Sequence, residues 1–222
     1  MSIVKSLQLT FGKALIFSAL LAPGLVSAAV LDFDTLDYTN ITTGGTVTPT
    51  AASVLTNQFA SDGIVFGQAG VSAGVAVMRS VFDFAPSSGL GSIVGLDAAG
   101  DIPGVSNTGS AVGDLYFSFL GITDFVSFTV GDGGGDLDIF DIRVYDGSNA
   151  LISNNHYENN SRFLVELAMS NIARVEVDFT GSYGYSLDDL TFNTVQGVPE
   201  PATLGLLALG LLTLGFKARK RT

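Results

Sequence analysis

The stretch Arg174-Val175-Glu176-Val177-Asp178-Phe179 sets one apolar face against one charged face at a period of two. Successive side chains of a strand point to opposite sides of a sheet, so this alternation predicts a strand with one face in a core and one in water. The same reading applies to Leu115, Phe117 and Phe119 against Tyr116 and Ser118, and to Val126, Phe128 and Val130 against Ser127 and Thr129. It applies again to Phe140, Ile142 and Val144 against Asp141, Arg143 and Tyr145. Turn sequences fall between these alternations: Gly131 to Gly135, Asp146-Gly147-Ser148-Asn149 and Gly181-Ser182-Tyr183-Gly184. Glycine there permits positive φ, and Asp or Asn bonds locally to the backbone. Short strands rich in Val, Ile, Phe and Thr, separated by such turns, predict an all-β fold, an antiparallel β-sandwich.

Outward from that region the pattern thins. Phe59 and Ile64-Val65-Phe66 read as strand material around the Ser61-Asp62-Gly63 turn, and Val75 to Phe84 as a further strand pair. Ala85 to Gly113, punctuated by Gly, Ser and Pro, reads as a long loop. Asn154 to Ser161 reads as a polar connection before a strand over Phe163 to Leu167.

Both ends carry targeting signals. Lys5 and Lys13 precede the apolar run Ala14 to Val26 and the small residues Ser27, Ala28 and Ala29, the order of a secretory signal peptide. A signal helix over residues 1–28 is expected, removed by signal peptidase between Ala28 and Ala29 after passage through the Sec translocon. At the other end, Val198-Pro199-Glu200-Pro201 precedes an uncharged apolar run, Ala202 to Phe216, and the cations Lys217, Arg219, Lys220 and Arg221. Proline cannot continue a helix from upstream but is tolerated at a helix start, so a new helix is expected to begin there. Its 15 residues reach about 22 Å, short of the roughly 30 Å hydrocarbon core, and snorkelling cations extend it. A short C-terminal transmembrane helix over 202–216, with its basic end on the cytoplasmic side, follows. The expected organisation is signal peptide 1–28, β-sandwich 29–197 and terminal signal 198–222.

Six of the ten basic residues sit in those two ends. The body from Ala29 to Gly197 keeps only Arg79, Arg143, Arg162 and Arg174 against 20 acidic residues, a formal charge of −16, and contains no lysine. Nucleic acid is therefore excluded as a partner, because it demands basic patches, while divalent cations and neutral polysaccharides are admitted. The absence of cysteine removes disulfides and thiolate metal sites, leaving stability to the core alone.

Two acidic groups are candidate Ca²⁺ sites. Asp132, Asp136 and Asp138 surround a glycine run and supply the hard oxygen ligands that calcium takes. The spacing matches neither an EF-hand nor repeated calcium-binding nonapeptides, and a turn with solvated aspartates uses the same residues. At Asp188-Asp189 the apolar parity switches from Tyr185 and Leu187 to Leu190 and Phe192. A parity switch predicts a bulge, aiming one carboxylate at a metal or at backbone donors. No catalytic residue is singled out: His156, the sole histidine, lies in an Asn-rich stretch without a nucleophile motif. Paired carboxylates for glycoside hydrolysis have too many possible partners to be assigned.

The order of signal peptide, β-rich body, Val198-Pro199-Glu200-Pro201, apolar run and basic terminus resembles the PEP-CTERM class of exported bacterial proteins. That resemblance implies an exosortase as partner, brief inner-membrane anchoring by the tail, cleavage near the Pro-Glu-Pro element, and release or attachment at the cell surface. It also implies a setting of exopolysaccharide production. The segments Val126 to Asp132, Val144-Tyr145-Asp146-Gly147 and Tyr185 to Phe192 are similar to strands of galactose-binding-like jelly rolls, implying a two-sheet sandwich. The expectation is a non-catalytic surface or matrix protein that binds carbohydrate or matrix components; the alternative is a secreted carbohydrate-active hydrolase.

Overall fold

The computed structural model describes residues 26–41, 46–67, 74–80, 86–102, 114–132, 134–135, 137–180 and 184–195. The body from Val26 to Gln196 forms one unit, and residues 1–25 with 197–222 a second. Among the described residues eleven strands build the body: β1 Val26–Leu31, β2 Thr39–Ile41, β3 Val54–Leu55, β4 Ile64–Phe66, β5 Val75–Ser80, β6 Ser92–Gly95, β7 Leu115–Gly131, β8 Asp138–Tyr145, β9 Leu151–Asn159, β10 Phe163–Phe179 and β11 Ser186–Val195. They join in a single sheet of order β2-β5-β6-β11-β7-β10-β8-β9, with β1 on β11, β3 on β5 and β4 on β7.

The jelly-roll-like sandwich arises because two 17-residue strands pass through both layers. The first half of β7 pairs with β4 and with the second half of β10, while its second half pairs with β11 and with the first half of β10. Register shifts near Ile172 mark the bend, and Asn171 supplies a left-handed residue there at φ 67°, a conformation Asn tolerates better than most side chains. Leu120, Gly121 and Ile122 lie exposed on the outside of that bend. The inward residues of both halves merge into one core that includes Phe117, Phe128, Phe140, Val177, Leu187 and Phe192. Such burial of apolar area is the main force holding a cysteine-free chain together.

Several expectations need correction. The sheet is mixed rather than antiparallel, because β2 runs parallel to β5, Thr39 opposite Met78 and Ile41 opposite Ser80. The sandwich is one hydrogen-bonded sheet folded over, not two separate ones. Ala85 to Gly113 is not wholly loop: Ser92–Gly95 enters the sheet between β5 and β11 with all four residues buried. A strand covered on both faces has no alternation to betray it. The Asn-rich stretch is likewise not a connection but most of β9, at the sheet's edge.

The transmembrane helix is also overturned as a feature of the structure: among the described residues no helix is long and apolar enough to cross a membrane. The helical segments described are the three-residue 3-10 turns Ala51–Ser53 and Ala60–Asp62. Membrane anchoring by a C-terminal helix falls with it. The apolar run 202–216 to which that helix was assigned, and the signal helix up to Leu25, lie outside the described residues. The apolar run's length, short of a bilayer core, already made it a marginal span.

Candidate functional site

In the layer β9-β8-β10-β7, Phe140, Ile142, Val144, Val175 and Val177 point into the core, so the intervening residues line the opposite face. The strand register sets them in rows. His156, Asp141 and Asp178 form one row, Asn154, Arg143, Glu176 and Tyr116 the next, and Tyr145, Arg174 and Ser118 a third.

Arg143 is the electrostatic hub. Its Nη1 donates to Glu176 Oε1 at 2.8 Å and its Nη2 to Asp178. These groups are only partly exposed, Glu176 at 13%, so solvent screens the pair less than it would a surface pair. Asp114 enters from the start of β7. Burial, then the charge of and hydrogen bond with Asp178, then Glu176, raise its carboxyl from 3.8 to about 6, against the pull of Arg143. Two carboxylates in contact disfavour double ionisation, so Asp114 holds its proton into mildly acid pH. Arg174 lies over the ring of Tyr145, its guanidinium carbon 3.9 Å from the centroid, a cation-π contact that flattens both groups on the sheet. At the edge, His156 Nδ1 meets Asp141 Oδ1 at 2.9 Å and its Nε2 meets Glu158 Oε1 at 3.4 Å. These hydrogen bonds, Asp141 first, raise the imidazole above its ordinary value.

The carboxylates singled out in the sequence lie elsewhere. Asp132 is buried, and its Oδ1 accepts the Gly134 N–H at 2.9 Å; Asp138 is fully buried at the start of β8. Neither is a solvated turn aspartate, and Asp136 lies outside the described residues. The predicted bulge is present: β11 shifts register against β7 between Asp188 and Thr191, with Asp189 at φ 53°. Its carboxylates point at protein donors. Asp188 Oδ2 accepts the Ser88 N–H at 2.9 Å and Oδ1 the Asp189 N–H at 2.8 Å. Asp189 accepts Ser87 Oγ and Ser88 Oγ, each at 2.7 Å. Burial raises the Asp188 carboxyl above its usual range, against the donors from Ser88 and Asp189. The bulge therefore straps the 86–91 segment to the sheet. Asp34 holds the same segment from the other side, accepting the Leu90 and Gly91 N–H groups at 2.7 Å each. Gly91 is needed there, since a Cβ would stand 2.6 Å from the Phe33 carbonyl oxygen. Among the described residues no group of three or more His, Cys, Asp or Glu is arranged to hold a metal.

A pocket lies at the bend of β7, between Phe119, Ile122, Thr123 and Phe192, with a volume of about 50 Å³. That is far below the roughly 300 Å³ at which small-molecule pockets begin. The polar face is the better candidate, and its chemistry was missed in the sequence. The alternation showed that Arg174, Glu176 and Asp178 face outward, but the pairing that brings Arg143, Tyr145 and Asp114 beside them depends on register.

Residues 197–221 match the family model described as the PEP-CTERM protein-sorting motif. The chain thus carries the tag of the exosortase export route on an all-β, jelly-roll-like body. No curated protein matches the chain. Among solved structures, the N-terminal CBM22-1 and GH10 modules of a Clostridium thermocellum endo-1,4-β-D-xylanase, complexed with xylohexaose, are 10% identical at a TM-score of 0.32 over 59% of this chain. The match spans only 26% of that xylanase chain. The CBM22-1 xylan-binding domain of a Paenibacillus barcinonensis protein is 13% identical at a TM-score of 0.33, covering 71% of this chain and 99% of that one. An arabinose-bound GH51 α-L-arabinofuranosidase is 10% identical at a TM-score of 0.36, over 76% of this chain and 32% of that one. Likeness at this level assigns no ligand.

Proposed function

We propose that the chain is an exported, exosortase-processed cell-surface or extracellular-matrix protein whose body binds polysaccharide without cleaving it. The sorting part is carried by the match over 197–221, in which Val198, Pro199, Glu200 and Pro201 form the processing element. The ligand part is supported by the polar face. It is a sheet face whose charged side chains are partly exposed, which suits an extended polymer better than a single small molecule. Carboxylates and Asn154 can accept and donate to sugar hydroxyls, and Arg174 stacked on Tyr145 presents a flat surface to the C–H side of a pyranose. The charge balance narrows the polymer: Arg143 is bonded to two carboxylates and Arg174 to Tyr145, so the face favours a neutral or cationic chain over a polyanion.

The hydrolase alternative is less well supported. Asp114 and Asp178 are in hydrogen-bond contact, closer than the roughly 5–5.5 Å of a retaining glycosidase pair or the wider inverting spacing. Binding is tested by affinity electrophoresis of the secreted protein through gels containing neutral polysaccharides. Retardation lost at least about tenfold in Tyr145→Ala supports the reading. Equal mobility of wild type and variant in every gel, or release of reducing sugar, contradicts it.

A further inference from the structure

The end of β11 is held by residues that signal cleavage removes. β11 pairs with β7 only as far as Phe192 opposite Val126. Beyond it, Asn193, Thr194 and Val195 have one strand partner among the described residues: Ala28, Ser27 and Val26 of β1, in antiparallel register. The expected signal cleavage between Ala28 and Ala29 falls opposite Asn193 and Phe192, at the boundary where β7 stops supporting β11. Two chain positions, 196 and 197, then separate Val195 from Val198 at the start of the processing element. In the uncleaved chain the ladder reaches to within three residues of that element; in a chain that begins at Ala29 the last ladder pair is Ala29 with Phe192. Asn193 keeps a side-chain bond from Nδ2 to Asp124 Oδ1 at 2.8 Å, and Thr194 and Val195 keep no strand partner among the described residues.

We propose that amino-terminal cleavage licenses carboxy-terminal processing: removal of 26–28 before the ladder forms keeps 193–195 unpaired, lengthening the chain that carries Val198-Pro199-Glu200-Pro201 into a processing enzyme. This rests on the sorting reading above. A protease or transpeptidase takes its substrate as extended chain whose backbone groups are not already spent on a ladder, so each strand residue left unpaired counts as reach, roughly 3.3 Å apiece. In the first step water adds across the Ala28–Ala29 peptide bond, leaving a carboxylate on Ala28 and an ammonium on Ala29. In the second, a peptide bond near the Pro-Glu-Pro element breaks. Its acyl carbon passes to a nucleophile, either water or the amine of a surface acceptor, and the nitrogen leaves with the tail. The first step also cannot follow formation of the β1–β11 ladder, since the bond to be cut lies within it. The order is therefore cleavage at the amino end, pairing of the shortened β1, then processing at the carboxyl end.

The test follows both termini of the full chain by intact mass in a host with the sorting machinery. Ala28→Tyr blocks signal peptidase by bulk beside the scissile bond, and Ala28 is exposed, so the fold accommodates it. Expected is retention of 1–28 with tail removal slowed at least about tenfold. In the double variant Ser27→Pro/Ala28→Tyr, proline takes the N–H of residue 27 out of β1 opposite Thr194 and fixes its φ, and tail removal returns to near the wild-type rate although the amino end stays intact. Tail removal from Ala28→Tyr at the wild-type rate overturns the proposal, as does failure of the double variant to recover or a wild-type protein that keeps residues 26–28. Failure of the sorting reading is separate: it shows as unchanged tail removal when Pro199, Glu200 and Pro201 are all alanine.

Discussion

The rings of Phe117 and Phe128 meet edge to face, centroids 6.0 Å apart and planes at 88°, although both belong to β7. Eleven residues of straight strand would separate them by roughly 36 Å, so the contact records a strand folded back on itself. The sandwich depends on that bend. Phe117 also reaches Phe66 of β4 and Phe119 along its own strand, so the ring is a junction between the two layers.

Truncating either ring should therefore cost about 3–5 kcal/mol, the usual range for a buried Phe→Ala change. The pair should be coupled: in a cycle of Phe117→Ala, Phe128→Ala and the double variant, urea unfolding should give an interaction energy of roughly 0.5–1.5 kcal/mol. Strict additivity would mean that the two halves of β7 do not support each other.

Asp114 gives stability a pH dependence of defined sign. Its folded value of about 6 stands above the unfolded 3.8, so the folded state holds the proton more tightly. Stability then falls as pH rises from about 4 to about 6 and stays lower above that window. Because the carboxyl is half-buried, solvent screening brings the effect to roughly 1–2 kcal/mol. Asp114→Asn should flatten that part of the profile and be more stable than wild type at pH 7.5 by urea midpoint. A variant that keeps the same fall between pH 4 and 6 would show that the Asp114–Asp178 contact does not govern it.

Calcium should not stabilise the body. All four carboxylate oxygens of Asp188 and Asp189 already accept protein donors, and Asp132 and Asp138 are buried. The melting temperature should be the same in EDTA and in millimolar Ca²⁺. A site of 10 µM affinity would add about 2.7 kcal/mol at 1 mM, and the resulting rise of several degrees would contradict the geometry.

The parts of the fold that could be read from the sequence are those in which side chains alone carry the signal. β8 and the second half of β10 alternate strictly because one face is core and the other polar, and the parity switch at Asp188-Asp189 announced a bulge that is present. What escaped was set by backbone pairing. β9 places Tyr157 against Phe163 beside the core and otherwise presents exposed Leu151 and Ile152 and a run of Ser, Asn, His and Glu, so its strand character comes from the ladder with β8. Leu115 to Phe119 and Val126 to Val130 each read as a strand, but nothing in their alternation says they are one strand bent at Gly121. The parallel pairing of β2 arises between segments 39 residues apart at Thr39 and Met78, which no local pattern encodes. For the candidate site the same division holds: outward-facing Glu176 and Asp178 were legible, and their meeting with Arg143 and Asp114 was not.

The most direct measurement of the central claim is the intact mass of the exported protein, compared with that of a chain in which Pro199, Glu200 and Pro201 are replaced by alanine. Wild type should be recovered outside the cell or on its surface without the segment 202–222, and the variant should retain that segment and fail to reach the same fraction. Equal masses and equal locations for the two would contradict the account.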